Sequence, residues 1–186
     1  MRVAKRLFAL SALLTVALLF VLPSQAASKK LSAVQNVDLN KYAGKWYEIG
    51  RLPNWFERDC ASDVTAEYEL TADKNVIVKN SCTQKDGKIK IANGFAKTAN
   101  DSEVTLRVTF APKALRFLAF VWADYTVISL DKDYQHVLVG EPSRKYLWIL
   151  SRSKKLDSTT YDALVEKAKT EGFDVSKFIK TPQQAG

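Results

Sequence analysis

The chain has 186 residues, 47% of them hydrophobic, and a formal net charge of +8 from 28 basic and 20 acidic residues. That length predicts one domain with a sizeable buried core. The Lys and Arg residues are scattered among acids, with no basic helix and no recognisable nucleic-acid module. This excludes nucleic acid as a partner and leaves a solvated surface that weakly favours anionic head groups.

The first residues read as a leader. Arg2, Lys5 and Arg6 precede an almost wholly apolar run from Leu7 to Leu22, and Pro23-Ser24-Gln25-Ala26-Ala27 then supplies small residues. This order predicts a secretory signal over 1–26, cleaved after Ala26, and a single domain over 27–186. The apolar run is about 16 residues, short of the roughly 20 that span a bilayer. No Cys stands near the cleavage point to carry a lipid anchor. The expected product is soluble and exported, in the periplasm or secreted. Without the leader the chain keeps 25 basic and 20 acidic residues, a net +5.

Residues 28–40 are polar and irregular. Asp38 to Tyr42 predicts a short turn that ends at Gly44, and Lys45 to Leu52 a first strand. Gly44-Lys45-Trp46 at that entrance is weak evidence alone, because glycine permits a tight turn or a close approach and a Trp packs into any core. Pro53 to Arg58 reads as a loop with two exposed aromatics. In Val64 to Leu70, alternation puts Val64, Ala66, Tyr68 and Leu70 on one face, a half-buried strand. Val76 to Thr83 and Ile89 to Lys97 follow between tight turns, with Gly94 marking a bulge or bend. Asn100-Asp101-Ser102 turns again, and Val104, Leu106, Val108 and Phe110 alternate with Thr105, Arg107 and Thr109.

Pro112 to Trp122 is strongly apolar where a polar loop is expected. It reads either as a buried cover over the core, or as an apolar lip at a ligand entrance or a membrane-touching loop. Strands over Asp124 to Leu130, Gln135 to Gly140 and Tyr146 to Arg152 bring the number to eight. Short successive strands without intervening helices predict an antiparallel meander, and eight such strands can close into a barrel around one small ligand. Helical periodicity appears only afterwards. Ser158 is the expected N-cap, Tyr161, Leu164, Val165 and Ala168 form the apolar stripe, and Gly172 stops the helix. The stripe should pack on the outside of the barrel, followed by a docked tail from Phe173 to Lys180.

Catalytic signals are absent. His136 is the lone His, and no Gly-x-Ser-x-Gly elbow or Gly-rich phosphate loop is found. No metal site or cofactor is expected from two Cys and one His. Cys60 and Cys82 lie in the exported part, where an oxidising compartment favours one disulfide; two free thiols are the alternative. If Leu70 faces Val76, Cys82 lies opposite Val64, so a bend must bring Cys60 back. What remains is an aromatic-rich container, with an apolar lumen and a few polar groups for a ligand head.

Three motifs in order resemble the lipocalin family. Gly44-x-Trp46, within Asn40-Lys41-Tyr42-Ala43-Gly44-Lys45-Trp46-Tyr47-Glu48-Ile49, is similar to its first. Ala123-Asp124-Tyr125 is similar to the second, usually Thr-Asp-Tyr, and Arg152 to the Arg of the third. The group of bacterial outer-membrane lipocalins, apolipoprotein D and plant temperature-induced lipocalins is the most similar, over about residues 36–180. The resemblance implies an all-β, eight-stranded up-and-down barrel with a C-terminal helix outside. It also implies that Trp46 lies across a closed end under Arg152, a structural pair with Gly44. The implied ligand is a fatty acid or lysophospholipid, and the implied role is lipid transport or membrane maintenance, without catalysis. Strand parity then points Tyr68, Leu106, Val108, Phe110 and Trp148 into the lumen, with Phe56, Phe117 and Phe120 expected at the mouth. Peripheral membrane contact and a monomer or homodimer complete the expectation. The runners-up are a tetrapyrrole or other planar hydrophobe as cargo, a lipid-modifying enzyme, and an envelope protein docking through 115–122.

Overall fold

The computed structural model describes residues 30–99 and 105–184. The expected leader, the Asn100-Asp101-Ser102 turn and Val104 lie outside the described residues. Eight strands follow in chain order: β1 (Gly44–Arg51), β2 (Cys60–Leu70), β3 (Val76–Gln84), β4 (Ile89–Thr98), β5 (Thr105–Thr109), β6 (Ala123–Leu130), β7 (His136–Gly140) and β8 (Leu147–Ser151). Each pairs antiparallel with the next, β8 pairs with β1, and β1 pairs with β2, so the sheet closes into a barrel. Closure leaves no long edge open to another chain. A one-turn helix α1 (Leu39–Tyr42) leads into β1, and α2 (Ser158–Thr170) and a two-residue strand β9 (Ile179–Lys180) follow the barrel.

The barrel carries two cores. Val127, Val137, Val139 and Leu150 pack inward with Trp46, Leu39 and Tyr42. Their sequence neighbours Ile128, Leu138 and Ile149 point outward and, with Leu147, pack with Leu164, Ala168 and Phe173. This is why β7 and β8 read as near-continuous apolar runs: both faces are buried. The opposite wall has no such cover, and Ile77, Ile89 and Ile91 stand exposed on it.

Three local expectations change. The N-cap of α2 is Asp157, not Ser158; its Oδ1 accepts from Thr160 N at 2.9 Å, and a carboxylate also suits the positive end of the helix. Gly94 is no bulge. β3–β4 pairing runs unbroken from Val76–Ala96 to Thr83–Ile89, and the glycine instead makes room for the Phe110 ring, since a Cβ there would lie 2.8 Å from Cε1. Phe110 itself falls just past the end of β5.

Cys60 and Cys82 are joined, with Cα atoms 5.7 Å apart. Regular pairing holds from Leu70–Val76 to Thr65–Ser81, then shifts to Ser62–Thr83 and Cys60–Gln84. Asp63, with φ of 54°, sits inside this irregularity. These shifts swing Cys60 back to its partner.

Above Tyr47–Thr65, β1 and β2 separate. The C-terminal tail fills the seam: Asp63 N donates to Pro182 O at 2.9 Å, and Gln183 Nε2 donates to Glu48 O at 2.8 Å and Val64 O at 2.9 Å.

Candidate functional site

The lower end of the barrel is sealed. Gly44 has φ of +93°, a conformation that L side chains rarely adopt, and a Cβ there would lie 3.4 Å from Arg152 Nη1. Trp46 is fully buried, and its Nε1 donates to Tyr42 O at 2.9 Å. The Arg152 guanidinium lies 3.9 Å from the centre of the Trp46 ring. It donates to the carbonyls of Lys45, Lys41 and Ala43 at 2.8 Å each, to Tyr42 O at 3.1 Å and to Tyr134 O at 3.3 Å. One cation therefore ties α1, the start of β1 and the end of β8 into a plug.

Above the plug lies a cavity of about 1080 Å³. Val76, Val78, Ala96, Val139 and Leu150 supply its aliphatic wall. Tyr68, Leu106, Val108, Phe110, Trp148 and Phe56 also line it. Phe117 and Phe120 do not. The segment after β5 forms two 3₁₀ turns, Lys113–Leu115 and Ala119–Val121, with no buried residue in either. Trp122 Nε1 donates to Arg116 O at 2.7 Å, and Arg116 Nε donates to Ala111 O at 3.2 Å. This folding leaves Val121 and Trp122 on the cavity while Phe117 and Phe120 are 81% and 82% exposed to solvent. The segment is a lip, not a buried cover.

Polar groups inside the cavity are the part that sequence reading missed. At the floor, Tyr42 and Tyr68 hydroxyls meet that of Tyr125, at 2.7 Å and 3.2 Å. Burial holds all three hydroxyls protonated, pushing Tyr68 up to about 12 and the other two well above the usual phenol value. Parity could have found Tyr125, which shares the inward face with Val127. Asn80, inward like Val76 and Val78, faces Ala66 and Ala92 across the ladder and leaves its Oδ1 without a partner.

Higher up, Glu48 and Glu57 line the cavity and share one cation, Arg51. Arg51 Nη1 lies 2.6 Å from Glu48 Oε1, and Arg51 Nε lies 3.2 Å from Glu57 Oε2. The Thr181 hydroxyl donates to Glu48 Oε1 from the tail. Burial pushes the Glu48 carboxyl up to about 7, the Glu57 charge pushes the same way, and Arg51 and Thr181 offset them only in part. A bulge between Glu48 and Gly50 brings Arg51 onto the same side as Glu48, which simple alternation does not predict.

A closed barrel with a plugged floor, an apolar lumen and an open, lipped mouth is a container for a small hydrophobic molecule. The chain belongs to the lipocalin family: the family's lipocalin-like domain matches residues 37–183. Temperature-induced lipocalin-1 of Arabidopsis thaliana is 41% identical over 157 residues, covering 83% of this chain and 84% of the relative. The outer membrane lipoprotein Blc of Escherichia coli K12 is 38% identical over 181 residues, 96% of this chain and 98% of the relative. Among solved structures, insecticyanin of the tobacco hornworm Manduca sexta shares the fold with a TM-score of 0.63 at 24% identity, over 83% of this chain and 85% of its own.

Proposed function

We propose that this protein is an exported carrier of a single-chain lipid, a fatty acid or lysophospholipid, serving lipid transport or membrane maintenance in the cell envelope. The observation that carries this reading is the deep cavity, walled by branched aliphatic side chains and plugged below by Trp46 and Arg152, with polar groups at the tyrosine floor and around Glu48 and Glu57. An acyl chain matches that shape and loses apolar surface to it at roughly 25 cal/mol per Å². Similarity to lipocalins and to an outer membrane lipoprotein supports a carrier, and an envelope location, over an enzyme. Both Cys residues are consumed by their disulfide, which favours a soluble periplasmic or secreted form, monomer or homodimer, over a thiol-anchored one.

Delipidated protein should show saturable Trp fluorescence quenching on addition of oleate or a lysophospholipid. A flat titration after verified delipidation rejects the carrier reading.

The lip supports transient contact with bilayers during loading. Phe117 and Phe120 stand outward beside Lys113 and Arg116, a pairing of aromatic and cationic groups that suits a lipid interface. Replacing both Phe residues by Ser should reduce co-sedimentation with anionic vesicles several-fold while soluble oleate still binds. Unchanged sedimentation would remove the lip from the loading step.

A further inference from the structure

Between β1 and β2 the barrel wall is not closed by its own strands. The two pair only as far as Tyr47–Thr65, and the next residues, Glu48 and Val64, do not pair although both line the cavity. The C-terminal tail covers this gap, with an apolar root and a polar tip. At the root, Phe178 packs on Gly50, where a Cβ would lie 2.5 Å from its ring, and against Tyr161 with ring centres 6.3 Å apart. Lys180 Nζ lies 4.5 Å from the centre of the same Tyr161 ring. At the tip, Thr181 N donates to Ile49 O at 3.0 Å, Asp63 N donates to Pro182 O at 2.9 Å, and Gln183 Nε2 bridges Glu48 O and Val64 O. Gln183 Oε1 is buried and finds no donor among the described residues, a cost that release into water removes.

The tip is tied to a group that titrates beneath it. The Thr181 hydroxyl donates to Glu48 Oε1 and accepts from Arg51 Nη1 at 3.1 Å. Glu48 faces one cation, Arg51, which Glu57 shares from the 53–59 loop. The strands on either side bring no charge: β8 opposes Glu48 with Leu150, and β2 brings Val64. Outside the gap, Asp63 Oδ1 accepts from Gln184 N at 2.8 Å and Lys154 Nζ donates to Gln184 O at 3.0 Å. Asp63 does not switch near neutral pH, because hydrogen bonds from Ser62 and Gln184 outweigh its slight burial and hold its carboxyl below the usual range. When Glu48 ionises, two carboxylates face one guanidinium in a buried setting, and hydration relieves the excess charge. Glu48 is buried against Thr181, so lifting the tip is the local motion that hydrates it. That motion breaks the polar bonds of four residues and leaves both cores intact, as local opening requires.

We propose that residues 181–184 are a proton-controlled latch over the β1–β2 gap, closed while Glu48 is protonated and released when it ionises, hinging about Phe178 and admitting water to the side of the cavity. The latch goes beyond the carrier reading, and its test needs no lipid.

Hydrogen–deuterium exchange of the purified protein at pH 5.5 and pH 8, corrected for the intrinsic rates, tests it at the amides of Asp63 and Thr181. A carboxyl that titrates at about 7 under the latch and near 4.5 in water raises the opening equilibrium by roughly twentyfold over that range. The corrected rates should therefore rise at least about tenfold. At both pH values they should exceed those of Val137 and Val139, within the β6–β7–β8 ladder, by at least about a hundredfold, and stay unchanged in sub-denaturing urea, which separates local opening from unfolding. Glu48→Gln should bring the ratio between the two pH values to within about twofold of one. Thr181→Val, which keeps Glu48 and removes only the hydroxyl, should speed Asp63 exchange several-fold at pH 5.5. Equal corrected rates at the two pH values overturn the latch, as do rates that match those of Val137 and Val139, a pH ratio unmoved in Glu48→Gln, or an Asp63 rate unmoved in Thr181→Val.

Discussion

Arg152→Ala should lower the melting temperature by about 6–12 °C and leave affinity for a single-chain lipid within about twofold. The substitution removes the ring contact with Trp46, at 3.9 Å, and strips donors from five backbone carbonyls at the closed end. A partly buried cation–ring contact and hydrogen bonds to a charged donor each contribute roughly 1–2 kcal/mol, not additively, so a loss of about 3 kcal/mol is expected. In a domain of this size each kcal/mol moves the midpoint by about 2–4 °C. Arg152→Lys should recover only part of the loss, because a point charge cannot serve all the carbonyls while lying flat on an indole. The guanidinium does not line the lumen and lies against the Trp46 ring that closes it. Weakened lipid binding at an unchanged melting temperature would show that Arg152 belongs to the ligand site instead.

The second large effect is on pH dependence. Glu48 titrates near 4.5 when unperturbed and at about 7 in the folded protein, because burial and the neighbouring Glu57 charge outweigh Arg51. Between those values the folded state holds a proton that the unfolded chain has released, so stability falls as pH rises. The loss begins near pH 4.5 and is complete above 7, on the order of 3 kcal/mol in total. Glu48→Gln keeps an amide oxygen for Thr181 and Arg51 and removes the ionisation. Its melting temperature should therefore change much less between pH 5 and pH 8 than that of the native chain. Parallel curves for the two proteins would show that Glu48 ionises without cost. Asp63, Asp131 and Glu171 act in the opposite direction, since hydrogen bonds hold their carboxyls below the usual range; their contribution fails only at lower pH.

The barrel is legible in the sequence because its strands obey simple periods. Leu106 and Val108 alternate cleanly, and Trp46 and Arg152 sit in recognisable motifs. The polar interior is not legible, and the reasons are particular. Glu48 falls in the middle of β1, where a charged residue ordinarily marks the solvent face. Its parity with Trp46 turns it inward, and its partners come from the bulge before Gly50, which brings Arg51 to the same side, and from the tail threonine Thr181. The tyrosine cluster joins α1, β2 and β6, so its hydroxyls meet only once the barrel has closed. Tyr146 precedes β8, yet its packing against Phe56 depends on the path of the 53–59 loop. Phe117 and Phe120 read as mouth residues because they are apolar near an opening. The bonds within the lip, from Trp122 to Arg116 and from Arg116 to Ala111, turn them outward instead. Gly94 shows the same limit: a glycine in a strand signals either a bend or a close approach, and only the position of Phe110 decides between them.

A carrier of this kind holds one single-chain lipid in its cavity. Native mass spectrometry of protein purified without detergent, followed by extraction and fragmentation of whatever it releases, tests this directly. The expected result is a 1:1 adduct that fragments to a single acyl chain, and that reappears when delipidated protein is incubated with lysophospholipid. A protein that stays bare both as purified and after incubation, or that releases only a planar polycyclic molecule, would contradict it.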